Sequence, residues 1–487
     1  MTIYCQLFLP HNGLIVYNSS DYLLDTHLAL FWHTKSQRLK KMKAKEFIIL
    51  IVILFFLGSQ LSAQESWSLN DCIKYAITNN IELSVADLGE QIAEQSYQKS
   101  KWSRLPGISA QADAGRNYGR SVDPNTNGII NTSFFNNSYG LGASMDVFRG
   151  FMTQNQIGYE KFKKESAANY RENATDDLAF EVMNAFFIVI YQQEMLKIAN
   201  EQRDISELNV KKTWIMVTTG VRSQAELLEV KANLEKDQLE FIRTKNNIES
   251  AWIRLKKAMN LPLDQEIKLV APEDDVVDGS KIIADVSELF KIFSQQSPYI
   301  QMYENDWKAS RKLMSVQKAG FFPSIRLQAF YNTGFYETNK DDINQTISFN
   351  NQIKNNQNQW IGASMSIPIF NRNAVRFDVK QSKLASEQAE AKLTQSKQNL
   401  LYEMEKNYSD LNASLQEFQQ SERQLEADQL AFQAAQKKFD QGMTNAIEFY
   451  TVKNRLAGTT NQLLISKLML GVKKRMLDFY KGERFWE

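Results

Sequence analysis

Between Leu69 and Arg104 apolar residues recur at helical spacing with no proline. The run stops at Leu105-Pro106, because the residue before a proline is pushed out of the helical region. The spacing predicts one helix of roughly 35 residues. Beyond it the period drops to two: Ile108, Ala110, Ala112 and Ala114 alternate with Ser109, Gln111 and Asp113. After a long Asn-rich segment, Tyr139, Leu141, Ala143, Met145 and Val147 alternate with Gly140, Gly142, Ser144 and Asp146. These patterns predict two strands, at about 107–118 and 138–148. From Gly150 to Thr218 the chain is again helical in pattern and proline-free, about 100 Å long at 1.5 Å per residue if continuous. It stops at Gly220, where a glycine can take the left-handed conformation, and a shorter helix, Arg222 to Asn260, turns back.

This unit occurs twice. Asp71 to Gly115 lies on Glu288 to Asn332 without a gap, placing Leu105-Pro106 over Phe322-Pro323. Gly142-Ala143-Ser144-Met145 matches Gly362-Ala363-Ser364-Met365, and Gly220 falls near Gly442. The second copy has strands at about 324–336 and 359–369, a proline-free stretch from Arg372 to Gln441, and its hairpin tip at about 442. The organisation is a first repeat at 64–267, a linker at 268–285 containing Ala271-Pro272-Glu273-Asp274-Asp275, and a second repeat at 286–487. Strands of about ten alternating residues fit either a membrane-crossing barrel or a half-buried sheet. Leu411, Leu415, Phe418, Leu425, Phe432 and Phe439 follow a coiled-coil spacing diluted by Glu422 and Gln429. Such a helix suits one face on neighbours and one on water, or a solvated coil.

The reactive residues are crowded at the start. All three histidines (His11, His27, His33) and Cys5 lie in the first 33 residues. Lys40, Lys41, Lys43 and Lys45, the apolar run Phe47 to Leu57 and the small residues Gly58 to Ala63 then follow in the order of a signal peptide. At roughly a dozen residues the apolar run is shorter than the ~18 to 20 a spanning helix needs. The reading is a non-native extension at 1–41, with Met42 as initiator, and a signal peptide at 42–63. What remains has no histidine and one cysteine, Cys72, so it forms no internal disulfide and excludes histidine-based catalysis or metal binding. The 57 basic and 56 acidic side chains nearly cancel, which argues against nucleic acid as a partner. No cofactor is expected.

From Trp67 to Phe485 the chain resembles the TolC family of outer-membrane efflux proteins. The resemblance rests on Leu69, Cys72, Ile73, Ala76, Asn79 and Asn80, and on Leu105-Pro106 with Phe322-Pro323. Phe148-Arg149-Gly150, Ile369-Phe370-Asn371 and Phe439-Asp440-Gln441-Gly442 complete it. It implies a homotrimer in which a twelve-stranded outer-membrane β-barrel continues into a periplasmic α-helical barrel. Independently, four strands cannot enclose a lumen, whereas three chains supply twelve. The family's duct is passive, closed at its periplasmic tip, and opened by an adaptor protein joined to an inner-membrane pump. Carried over by position, Thr219, Gly220 and Val221 and Gln441, Gly442 and Met443 are the adaptor-contacting tips. The prototype's acidic ring, six residues beyond the second glycine, falls at Glu448, and its first-copy acidic position at Glu226. A ring of three carboxylates would attract cations. The prototype's next ring falls at Thr451, and its locking tyrosine and arginine fall at Phe439 and Thr444, so another set of bonds must hold this tip.

The competing expectation is a helical coiled-coil scaffold of the cell envelope that forms no channel. An enzyme is the weakest reading, because no paired acids stand out from helix-surface charge. Cargo is not encoded here, since pump and adaptor would select it.

Overall fold

The computed structural model describes residues 66–122, 127–271 and 285–486. The expected extension, the signal peptide and residues 272–284 of the expected linker lie outside the described residues.

Ser66–Trp67 (β1) leads into a capping box. The Asp71 amide donates to the Ser68 hydroxyl at 3.3 Å, and the Ser68 amide donates to the Asp71 carboxylate at 2.9 Å. This starts α1 (Leu69–Asn79). The single helix expected up to Arg104 is broken at Asn80, which at φ −70° and ψ 129° closes α1 and opens α2 (Ile81–Trp102). Asn80 Oδ1 accepts from the amides of Glu82 (2.8 Å) and Leu83 (3.1 Å), and its Nδ2 donates to the Ala258 carbonyl at 2.8 Å. Apolar spacing is silent about this break because both sides keep the helical period. The cue is Asn79-Asn80, side chains that compete for helix backbone.

The strand β2 (Gly107–Asn117), a small hairpin of β3 (Arg120–Val122) and β4 (Ile129–Asn131), and β5 (Phe134–Arg149) follow. β5 starts ahead of the expected 138 because its backbone pairs with β2 from Asn117 opposite Phe134 down to Gly107 opposite Ser144. Asn136 and Asn137 interrupt the side-chain alternation, not the ladder. Next come α3 (Met152–Thr218), α4 (Gln224–Met259) and β6 (Lys268–Leu269). β6 pairs in parallel with β1, so the expected linker begins with a short strand whose Leu269 is buried. The second copy runs through α5 (Val286–Gln296), α6 (Pro298–Lys318), β7 (Ser324–Tyr336), α7 (Phe349–Asn355), β8 (Asn358–Ser366), α8 (Ala374–Asp440) and α9 (Ala446–Tyr480). β8 ends short of the expected 369: Pro368 offers no N–H to a ladder.

β2, β5, β7 and β8 form one antiparallel sheet in that order, with a bulge between Asp146 and Phe148. The join between copies is therefore the β5–β7 pair. In the helical layer α2 packs on α3, whereas α6 packs on both α3 and α8. α3 and α8 are each 67 residues long, about 100 Å. Their first residues, their last residues and the following Gly220 and Gly442 all differ by one constant offset.

The principal core lies where α1 meets α3 and α4: Cys72, Ile73 and Ala76 against Val182, Met183, Phe186, Leu255 and Met259, closed by Trp486. Burial pushes the Cys72 thiol up to about 12, which leaves it an inert core residue. Among the described residues no helix is long and apolar enough to cross a membrane, and no group of three or more metal-ligating side chains occurs.

The Asn80→Ala variant loses a helix cap and the bond to Ala258. It is expected to lose about 1–2 kcal/mol, read as a lower thermal midpoint in circular dichroism; an unchanged midpoint contradicts the joint's structural role.

Candidate functional site

Alternation divides the sheet's side chains into two faces. One carries Ile108, Ala110, Ala112, Leu141, Ala143, Met145, Ile325, Leu327, Ala329, Ile361, Ala363 and Met365, registered opposite one another across the strands. Of its large members, Ile108, Leu141, Leu327, Ile361 and Met365 are exposed, and Met145 and Ile325 are half-buried. The other carries Ser109, Gln111, Asp113, Ser144, Asp146, Arg326, Gln328 and Ser364. There Arg326 Nε donates to the Asp146 carboxylate at 2.7 Å. Aromatic rings gather at both ends. Phe349 lies 5.8 Å from Phe335 and 6.5 Å from Tyr139 at the loop end. Trp102, Phe151, Phe321, Phe322 and Phe370 are exposed where strands meet helices. An exposed apolar band between aromatic belts, backed by a charged face, is the profile of a barrel wall.

At the far end of the helices the two tips share one design. α3 runs out through Thr219 to Gly220 at φ +77°, and the Val221 amide donates back to the Met216 carbonyl at 2.8 Å. α8 runs out through Gln441 to Gly442 at φ +72°, and the Met443 amide donates to the Lys438 carbonyl at 2.8 Å. Left-handed backbone there favours glycine in both copies. Ser223 and Asn445 then cap the return helices by accepting from the Glu226 amide (3.2 Å) and the Glu448 amide (2.8 Å). The two acids singled out by position are thus the third residues of α4 and α9, where a carboxylate also suits the helix dipole. Thr219, Gly220, Val221, Gln441, Gly442 and Met443 are all exposed.

The tips differ in what lies between glycine and cap. In the first copy this is Arg222, whose side chain is only 3% exposed. Its guanidinium sits 4.3 Å from the centroid of the Phe439 ring. It donates to Glu226 Oε1, to the Phe439 carbonyl and to the Thr444 carbonyl, each at 3.0 Å. A cation on the last carbonyls of α8 is favoured by that helix's dipole. Arg222 therefore fastens the first tip to the second within one chain, and Glu226 is its counter-ion. Glu448 is exposed and accepts from the Thr444 hydroxyl at 2.6 Å. The Thr451 hydroxyl turns back to the Ile447 carbonyl. Beneath the tips, Val230, Phe439, Ala446, Phe449 and Tyr450 form a small apolar core.

A second polar tie lies deeper. Lys453, 1% exposed, donates to Asp237 (2.5 Å), the Ser206 hydroxyl (2.8 Å) and the Gln202 carbonyl (2.9 Å). Burial lowers its pKa from the ordinary lysine value, and the Asp237 carboxylate opposes that shift. In the sequence Arg222 marks only the start of the return helix, and Lys453 is passed over. The available signal was a lysine on the apolar stripe Ala446, Phe449, Tyr450 of α9.

A profile of the outer membrane efflux protein family matches residues 72–261 and 290–469 of the chain. The chain belongs to this family. It is 20% identical over 420 residues to the probable efflux pump outer membrane protein TtgC of Pseudomonas putida, covering 84% of this chain and 82% of that one. The outer membrane protein VceC of Vibrio cholerae superimposes with a TM-score of 0.73 at 12% identity, over 86% of this chain and 97% of its own. The CmeC outer membrane channel of Campylobacter jejuni does so at 0.71 and 16% identity, over 86% and 87%. The chain is thus an outer-membrane protein with the fold of these channels.

Replacing Arg222 with Ala leaves the Phe439 and Thr444 carbonyls without their donor, an expected loss of about 3 kcal/mol locally. Hydrogen exchange at Gln441 to Asn445 should quicken roughly a hundredfold while the α1–α3 core stays protected; unchanged exchange would disprove the tie.

Proposed function

We propose that three copies of this chain close a twelve-stranded barrel in the outer membrane and a helical tunnel in the periplasm, forming the passive exit duct of a tripartite efflux or type I secretion system. The carrying observation is that one of two equivalent joins is made within the chain and the other is left open. Copies meet through β5–β7 and through α6 on α3, while β2 and β8 remain sheet edges. The counterpart of α6, α2, has an exposed seam of Ile81, Val85, Leu88 and Ile92. α8 exposes Phe377 and Leu384 seven residues apart. A neighbouring chain's β8 on β2, and its α8 on α2, would repeat the internal join and cover both seams. Nothing on the surface favours the coiled-coil scaffold, which would leave the sheet's apolar face in water.

In this reading the tips face the periplasm and are closed at rest. The adaptor, joined to the inner-membrane pump, meets Thr219, Gly220 and Val221 and Gln441, Gly442 and Met443 and draws the hairpins apart. Arg222 holds each chain's two hairpins together during that motion. Glu448, exposed and without a cationic partner among the described residues of its own chain, supplies the acidic ring; Glu226 is committed to Arg222 and contributes to the tip's stability.

The chain expressed with its leader should sediment with outer membranes and require detergent to yield a particle of three chains; a soluble monomer or dimer refutes the duct. Glu448→Ala should raise single-channel conductance and weaken block by divalent cations severalfold, because a threefold carboxylate ring concentrates cations at the constriction. Unchanged conductance and block would remove Glu448 from the gate.

A further inference from the structure

Phe330 on β7 and Trp360 on β8 are registered opposite each other, on the sheet face that carries Asp113, Asp146 and Arg326. Their rings are near-parallel, 23° between planes and 5.7 Å between centroids. The strands beneath them carry glycine. A Cβ added at Gly142 would lie 3.3 Å from the Phe330 ring, and one added at Gly362 would collide with the Trp360 indole. The rings therefore lie down over backbone that has no side chain, keeping 41% and 48% of their area exposed. Phe330 is midway along Ser324–Tyr336, so the pair sits at the middle of the wall. A lone charged or polar lining needs neither ring.

We propose that this pair is a binding plate for planar aromatic cations passing through the bore, present three times at one height; the inference rests on the duct reading above. A flat ring gains stacking energy on either aromatic face, and a positive charge is attracted to the indole quadrupole. On the loop side of the pair the lining charge suits a cation, which therefore meets the plate from that side. There Asp113 accepts from two neutral groups, the Gln111 amide (2.9 Å) and the Ser138 hydroxyl (3.5 Å). On the helix side, the Asp146 carboxylate is shared by Arg326 (2.7 Å) and Arg149 (3.4 Å). The charged face cannot be the lipid face, which places the plate in water.

The test is block of single-channel current by proflavine, a planar aromatic cation, added from the loop side of a planar bilayer, with tetraethylammonium as the non-planar control. Blockades in the wild-type channel should shorten about tenfold or more in the Phe330→Ser, Trp360→Ser double variant and by no more than about threefold in Trp360→Phe, which keeps a stacking ring. Tetraethylammonium blockades should not change. Where the double variant fails to insert, Gly362→Ala, whose added Cβ collides with the Trp360 indole and must displace it while keeping both aromatics, should also shorten proflavine blockades. Equal proflavine dwell times in wild type and variant overturn the plate. Equal shortening for both cations also overturns it, because the variant then acts through bore width. A wild-type chain that is recovered as a soluble monomer or dimer overturns the duct reading itself.

Discussion

A strand in hydrocarbon must find every backbone hydrogen bond inside protein, and this constraint governs the rest of the molecule. β5 and β7 are paired on both sides, and β2 and β8 on one. Where no neighbour is needed, the chain covers an edge itself. β7 outruns β8 at its loop end, and there the buried Gln352 of α7 accepts from the Tyr336 amide and donates to the Tyr336 carbonyl, each at 3.0 Å. Among the described residues no such cover protects β2 or β8 along the apolar band. Four strands cannot curl onto themselves around a bore, so in the proposed duct the open edges are met by further copies of the chain. The helical layer carries the same vacancy on α2, which places the two demands in register.

The duplication also explains how the hairpins are tied. Ser206 on α3 donates to Asp237 on α4, while at the equivalent positions Thr459 on α9 donates to Asp428 on α8. The hydroxyl and the carboxylate have exchanged helices, and the cross-hairpin bond has survived. A cation completes each pair, Lys453 in the first and Arg455 in the second. The Thr459 hydroxyl, aided by Arg455, holds the Asp428 carboxyl below its ordinary value. Lys453 reaches from the second hairpin into the first, and Arg222 reaches from the first into the second, to the backbone of its own counterpart Thr444. Each copy thus lends one buried cation to the other.

The strands, the two long helices and both tip glycines were legible in the sequence because each is written in local terms: a period of two, a long proline-free helical run, a glycine at its end. The break at Asn80 was not, since a cap that stays within helical spacing leaves the apolar pattern intact. The early start of β5 was hidden because a ladder depends on backbone, to which Asn136 and Asn137 contribute fully. At the tips, sequence position located Glu226 and Glu448 but gave no partners. Two of the three acceptors of Arg222 lie more than two hundred residues away on carbonyls, which no side-chain pattern encodes.

Closure between chains can be read by covalent capture. In a Cys72→Ala background, cysteines placed at Ala110 of β2 and Ala363 of β8, with Ala112 as the alternative register, would be joined by a short bismaleimide in intact outer membranes. Closure predicts denaturing-gel bands of one, two and three chains and none larger. A single monomer band, or a ladder that continues past three, would contradict it.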